Sequence, residues 1–94
     1  MSDVASLHIS YDRRADVLYI ADGNEAARGV QDKHGIIWRY NKNDAAVGAT
    51  IMDFREEWEK IPDVLSSLIS NRIGLPARYA RELVDKGLQL ARNG

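Results

Sequence analysis

The residues of this chain whose types and spacing could do chemistry are the two aspartates of YDRRADVLYI, residues 11–20. Asp12 and Asp16 stand four positions apart, flanked by Tyr11 and Tyr19. Two carboxylates perform acid/base work when a cleft pushes their pKa values apart. With further oxygen ligands such a pair can hold Mg²⁺ or Ca²⁺. The metal-ligating set would then be Asp12, Asp16 and Asp53, with Asp44 the other available carboxylate. The competing role is structural. Both aspartates bracket a loop, where their side chains accept hydrogen bonds from backbone amides two residues on. Arg13 and Arg14 lie between them and neutralise the local charge, and a hairpin tip is solvated. The expectation is a structural corner, with no catalytic residue and no cofactor.

Other reactive types form no pattern. His8 and His34 fall in different elements, and Ser10 shares a strand face with His8 only because strands alternate. Gly23, Gly29, Gly35 and Gly48 are scattered, and none opens a helix after a strand as a phosphate loop requires. Trp38 and Trp58 read as core or interface anchors. The segment SSLISNRIGLPARYARELVDKG, residues 66–87, has the outline of a helix-turn-helix, with Arg78 and Arg81 on the outer side of its second helix. Against this, Arg78/Glu82, Arg81/Asp85 and Glu82/Lys86 satisfy the i,i+4 pairing of a solvated helix face. Residues 55–94 carry seven Lys/Arg against six Asp/Glu, too small a surplus for the phosphate contacts that dominate DNA affinity. Nucleic acid is not an expected partner.

Several elements must position these residues. LHISY, residues 7–11, alternates with the period of a strand, and VLYIA, 17–21, is rich in β-branched and aromatic types. Joined by DRRAD they make a hairpin. If Tyr11 faces Val17, Ile9 lies opposite Tyr19. Residues 22–32 form a polar loop with room for a short edge strand around 25–31. GIIWRYN, 35–41, and VGATIMDF, 47–54, are strands, joined at NKNDAA by residues that tolerate positive φ. Beyond residue 55 the character turns helical. Pro62 opens one helix to about Arg72, Gly74 caps it, and Pro76 opens the last, with Ala80, Leu83, Val84, Gly87, Leu88 and Ala91 on one stripe. The expected fold is α+β: a small antiparallel four-stranded β-meander (7–54) followed by two C-terminal helices packed on the sheet (55–94). All of it belongs to a single domain, 1–94.

These strands are apolar on both faces, which a lone sheet with one wet face should not be. Val17 to Ile20 run without a break, as do Ile36 to Trp38. Two helices can cover one face. A second face carrying Tyr11, Tyr19, Trp38 and Ile51 would be an interface, most simply of a two-fold homodimer. The alternative places one helix on each side. A hydrophobic share of 45% and a net charge of −1 describe a folded protein with no global pull toward anions. The absence of cysteine removes thiol chemistry. The start, MSDVASLHISYDRR, lacks the pattern of a secretory signal, and no apolar run approaches a membrane span. The expectation is a cytoplasmic protein without a membrane partner.

YDRRADVLYI and the later GIIWRYNKNDAAVGATIMDF resemble the bacterial family called domain of unknown function 2283. The likeness rests on Tyr11, Asp12, Ala15, Asp16, Leu18, Tyr19 and Ile20, then on Val47, Gly48 and Ile51, across roughly residues 7–54. The chain departs from the family pattern at Asn41, in a turn without its glycine, and at Thr50, where the family often has an acid. That last change removes a partner for Asp12 or Asp16. The resemblance implies a β-meander with helical material after it, no established activity, and antitoxin-like partnership with a small toxin protein.

Overall fold

A computed structural model describes residues 7–23 and 26–93. Five strands form one antiparallel sheet: β1 (His8–Asp12), β2 (Val17–Ala21), β3 (Arg28–Gln31), β4 (Ile36–Tyr40) and β5 (Ala46–Met52). The N-terminal hairpin pairs β1 with β2, and the β3–β4 and β4–β5 hairpins follow each other. The strand order is β1-β2-β5-β4-β3.

This corrects the expected meander in two respects. The short edge strand in the polar loop is a full member of the sheet, giving five strands instead of four. Moreover β5, the last strand, sits in the middle, zipped to β2 over Val17↔Met52 through Ala21↔Gly48. The strand that follows β2 in sequence, β3, lies at the far edge, and the chain returns inward through β4. Gly48 permits the central pairing, because a Cβ there would lie 2.4 Å from the carbonyl oxygen of Ile20.

The first hairpin also differs by one residue from its expected register. Asp12 pairs with Val17, Tyr11 with Leu18 and Ile9 with Ile20, leaving residues 13–16 as the loop. Asp16 closes that loop in the left-handed region at φ 57°, which Asp tolerates better than most residues. The shift moves Tyr11 and Ile9 to the face opposite Tyr19, because strand side chains alternate.

Both helices lie on one face. Phe54–Trp58 forms a π-helical turn, α1 spans Pro62–Ile69, a second wide turn runs from Ser70 to Gly74, and α2 spans Ala77–Arg92. Pro62 is at the start of α1, and Gly74 breaks the wide turn at φ 81°. α2 turns Ala80, Leu83, Val84, Gly87, Leu88 and Ala91 inward. They pack with Phe54, Trp58, Leu65 and Ile69 against Leu18, Ile20, Ile36, Trp38, Ala49 and Ile51. At Gly87 the helix comes so close that a Cβ would meet Leu18 Cδ2 at 2.9 Å. Burying each large side chain of this layer stabilises the fold by about 2 kcal/mol. None of the described helices is long and apolar enough to cross a membrane.

Candidate functional site

Both hairpin carboxylates accept hydrogen bonds that hold the fold. Asp12 Oδ1 accepts hydrogen bonds from the backbone N–H groups of Arg14 (3.1 Å) and Ala15 (3.3 Å), an Asx-type cap of the loop. Asp16 reaches further. Its Oδ1 accepts from the Tyr11 hydroxyl at 2.7 Å and from the Arg55 N–H at 2.9 Å. Its Oδ2 accepts from the Glu56 N–H at 3.2 Å, and its backbone oxygen from the Phe54 N–H at 2.9 Å. Asp16 thus caps the exposed start of the Phe54–Trp58 turn, where free N–H groups need acceptors. Asp53 precedes that turn at φ 52°, and its carbonyl accepts from Glu57 at 2.7 Å.

Electrostatics favour a structural carboxylate over a reactive one. Burial pushes Asp16 upward, but the N–H of Arg55, the Tyr11 hydroxyl and the N–H of Glu56 together hold it below the usual carboxylate range. Tyr11 moves the other way. Burial, then the hydrogen bond to Asp16 and its negative charge, push the phenol up to about 12. General acid/base catalysis wants a group poised near the working pH, and both members of this pair are displaced away from it. Among the described residues no group of three or more His, Cys, Asp or Glu could hold a metal ion. Asp12, Asp16 and Asp53 therefore do not converge, and Asp44 instead pairs with Arg28 at 2.9 Å.

Two further structural polar groups escaped the sequence reading. Asp32 Oδ1 accepts from the N–H groups of His34 (2.8 Å) and Ile36 (3.1 Å), and Oδ2 accepts from Trp38 Nε1 at 2.8 Å. Burial pushes Asp32 up, but the Trp38 indole and the two backbone donors outweigh it and leave the pKa lowered. The signal was present in DKHG, an aspartate three residues before a glycine at a strand junction, with Gly35 at φ 84°. Arg13 spans the molecule. Its Nη1 donates to the Ala91 carbonyl at 2.9 Å and its Nη2 to that of Leu90 at 3.1 Å, placing a cation on the free carbonyls that end α2.

The proposed DNA-reading arginines are not a matched pair. Arg81 is held between Asp63 and Asp85, while Arg78 is exposed. α2 presents an ion-paired surface at Arg81, as its i,i+4 spacing predicts.

The four expected interface anchors also part company. Trp38 and Ile51 are 1% and 0% exposed, sealed under the helices, and Tyr11 lies on the same covered face with its ring edge-on to Phe54 at 6.1 Å. Only a hairpin register one residue out sets Tyr11 beside Tyr19. Tyr19, 40% exposed, stands on the other face. The pairing puts His8, Ser10 and Asp12 of β1, Val17, Tyr19 and Ala21 of β2, Gly48, Thr50 and Met52 of β5, and Ile37 and Arg39 of β4 on that face. No described helix covers it.

Arg39 lies flat on this open face. Its Nε and Nη2 donate to Thr50 Oγ1 at 3.2 and 3.1 Å. Gly29 and Gly48 flank it in the neighbouring strands, and a Cβ on Gly29 would come within 3.1 Å of Arg39 Nη1. A shallow groove of about 260 Å³ runs between Tyr19, Ala21, Ala26, Arg39, Gly48 and Thr50. A larger one, about 750 Å³, separates β1 from α2 and mixes Leu7, Ile9 and Leu90 with Glu82, Asp85 and Lys86. The larger groove has no single chemical character, whereas the smaller one is mostly apolar around one arginine.

A five-stranded antiparallel sheet backed on one side by helices, with its first hairpin locked by Tyr11 and Asp16, defines a small α+β protein. The family follows from the same hairpin: residues 8–55, half of the chain, match the model described as protein of unknown function (DUF2283), and the chain belongs to that family. No curated protein and no solved structure matches it.

Proposed function

We propose that this chain is a protein-interaction module that works through its open sheet face, and that the first occupant of that face is a second copy of itself. The observation that carries the reading is Tyr19, 40% exposed on a face it shares with half-buried Ile37 and Met52. Apolar sheet surface of this kind marks an interface, and a closed two-fold dimer is the commonest way to cover it. The hairpin carboxylates, tied to backbone donors, support binding over catalysis.

Gel filtration coupled to light scattering tests this. The wild type is expected to be a dimer at high micromolar concentration. Tyr19→Glu is expected to be a monomer with an unchanged circular dichroism spectrum, since the site is a solvated strand position. A strictly monomeric wild type would end the reading. The finer proposal, antitoxin-like partnership with a small toxin protein, draws on the family resemblance. It is tested by mass spectrometry of what co-purifies from the native host, and a preparation without a stoichiometric partner would remove it.

A further inference from the structure

We infer that the second copy docks by two symmetric ion pairs, Arg39 of each chain with the partner's Asp12, about a two-fold axis that crosses the open faces diagonally. This rests on the dimer proposed above and adds how the two faces recognise each other.

The argument starts from the two charges. Asp12 and Arg39 are on the same face, because Asp12 pairs with Val17 and Arg39 with Gly48, both partners of open-face positions. They occupy opposite corners. From β1 to β4 is three strand spacings, about 14 Å, and from the His8 row to the Asp12 row is four residues along the strand, about 13 Å. Too far apart to meet within one chain, each is free for another. Among the described residues no carboxylate pairs with Arg39, whose Nη1 is left over after Nε and Nη2 bond Thr50. Asp12 uses only Oδ1 in its loop, and no ion pair reaches it among the described residues.

A two-fold axis lying between two stacked faces, perpendicular to this diagonal, exchanges the corners. It brings each guanidinium over the other chain's Asp12, and both pairs form together because the contact is isologous. The same operation sets the rest of the surface. Tyr19 lies close to the axis and meets its own copy, while Val17 and Met52 fall over Ile37 of the second chain. Gly48 faces Ser10, small against small. The strands of the two sheets then cross near a right angle, which is one of the two packings that face-to-face sheets adopt. Pairing by like corners would instead stack Arg39 on Arg39, so the charges select this arrangement and reject that one.

Two single charge reversals test it, because each is wrong with itself and right with the other. A homodimer of Arg39→Glu would set two carboxylates against each other at both corners. A homodimer of Asp12→Arg would do the same with two guanidiniums. Each is expected to weaken self-association by at least about tenfold, the scale of a close interfacial charge pair. Mixed in equal amounts, the variants restore both pairs. The introduced carboxylate of one meets the introduced guanidinium of the other, and the native Arg39 meets the native Asp12. A heterodimer is therefore expected, detected by native mass spectrometry with one variant isotope-labelled. Circular dichroism of each variant confirms folding beforehand. Asp12→Asn, which keeps the loop acceptor while removing the charge, gives a second measure should Asp12→Arg unfold, and is expected to weaken the dimer likewise. Wild-type dimers with no heterodimer on mixing, or with no loss in Asp12→Asn and Arg39→Glu, would overturn the pairing while leaving the dimer itself standing. A monomeric wild type would instead remove the dimer.

Discussion

Replacing Asp16 by Asn tests whether this carboxylate is the lock between the hairpin and the first helical turn. Asn tolerates the left-handed backbone at φ 57°, so the substitution leaves the loop geometry alone and changes only the acceptors. Its single side-chain oxygen can keep the Tyr11 hydroxyl and the Arg55 N–H, but the amide nitrogen faces the Glu56 N–H as a second donor. One hydrogen bond is lost and two fall from charged to neutral strength. Hydrogen bonds to charged groups contribute about 1.5–3 kcal/mol and neutral ones about 0.5–1.5, so the expected loss is about 2 kcal/mol after allowing for water at the partly exposed Glu56 end. In a domain of this size that lowers Tm by about 8–16 °C. The pH dependence adds an independent signature. The folded carboxylate is held below its unfolded value, so its stabilisation is full above about pH 4 and is lost as pH falls through the folded value. Asp16→Asn should erase that part of the acid limb. Urea unfolding followed by tryptophan fluorescence, at neutral pH and across the acid range, measures both. Asp44→Asn, which loses only an exposed ion pair with Arg28, is the comparison and should stay within about 0.5 kcal/mol of wild type. A loss in Asp16→Asn no larger than that, or an unchanged acid limb, would refute the reasoning.

Gly48→Ala places a methyl 2.4 Å from the Ile20 carbonyl oxygen at the central strand pairing. Since backbone must move, a loss of about 1–3 kcal/mol is expected in the same urea assay, and an unchanged midpoint would mean that β2 and β5 are not so close. Tyr11 should ionise near 12 when followed by absorbance at alkaline pH. Its folded pKa is raised, so the stability it contributes is present below the unfolded value and disappears as pH rises through the folded one. Tyr11→Phe should delete the late component and Asp16→Asn should shift it down; a titration without such a component would contradict the Tyr11–Asp16 bond.

How much of this was legible depends on whether the information was local. The strands at β1, β2, β4 and β5, the Pro62 and Pro76 starts and the Gly74 stop all come from neighbouring residues, and they appear where periodicity and capping chemistry place them. The family likeness was legible too, in the Tyr11–Ile20 block. The insertion of β5 beside β2 was not, because strand order is decided by long-range burial; only Gly48, a glycine inside an apolar strand, hinted at a close backbone approach. The hairpin register failed for a smaller reason. Counting Asp12 in the loop made it five residues, and a single-residue error in a strand exchanges faces, which scattered the expected anchors Tyr11, Tyr19, Trp38 and Ile51. Arg13 bonding to the far end of α2 leaves no trace in spacing, since its partners are main-chain oxygens that every residue owns.

Arg13 also ties the stretch that the family model matches to one that lies beyond it. The segment that the family model captures ends at residue 55, whereas the surface that keeps Leu18, Ile36, Trp38 and Ile51 dry comes almost wholly from residues after it. The stretch that carries the family signature is thus smaller than what must fold as a cooperative whole. A fragment cut at the signature's edge would lay bare its greasiest side and leave Arg13 grasping at solvent.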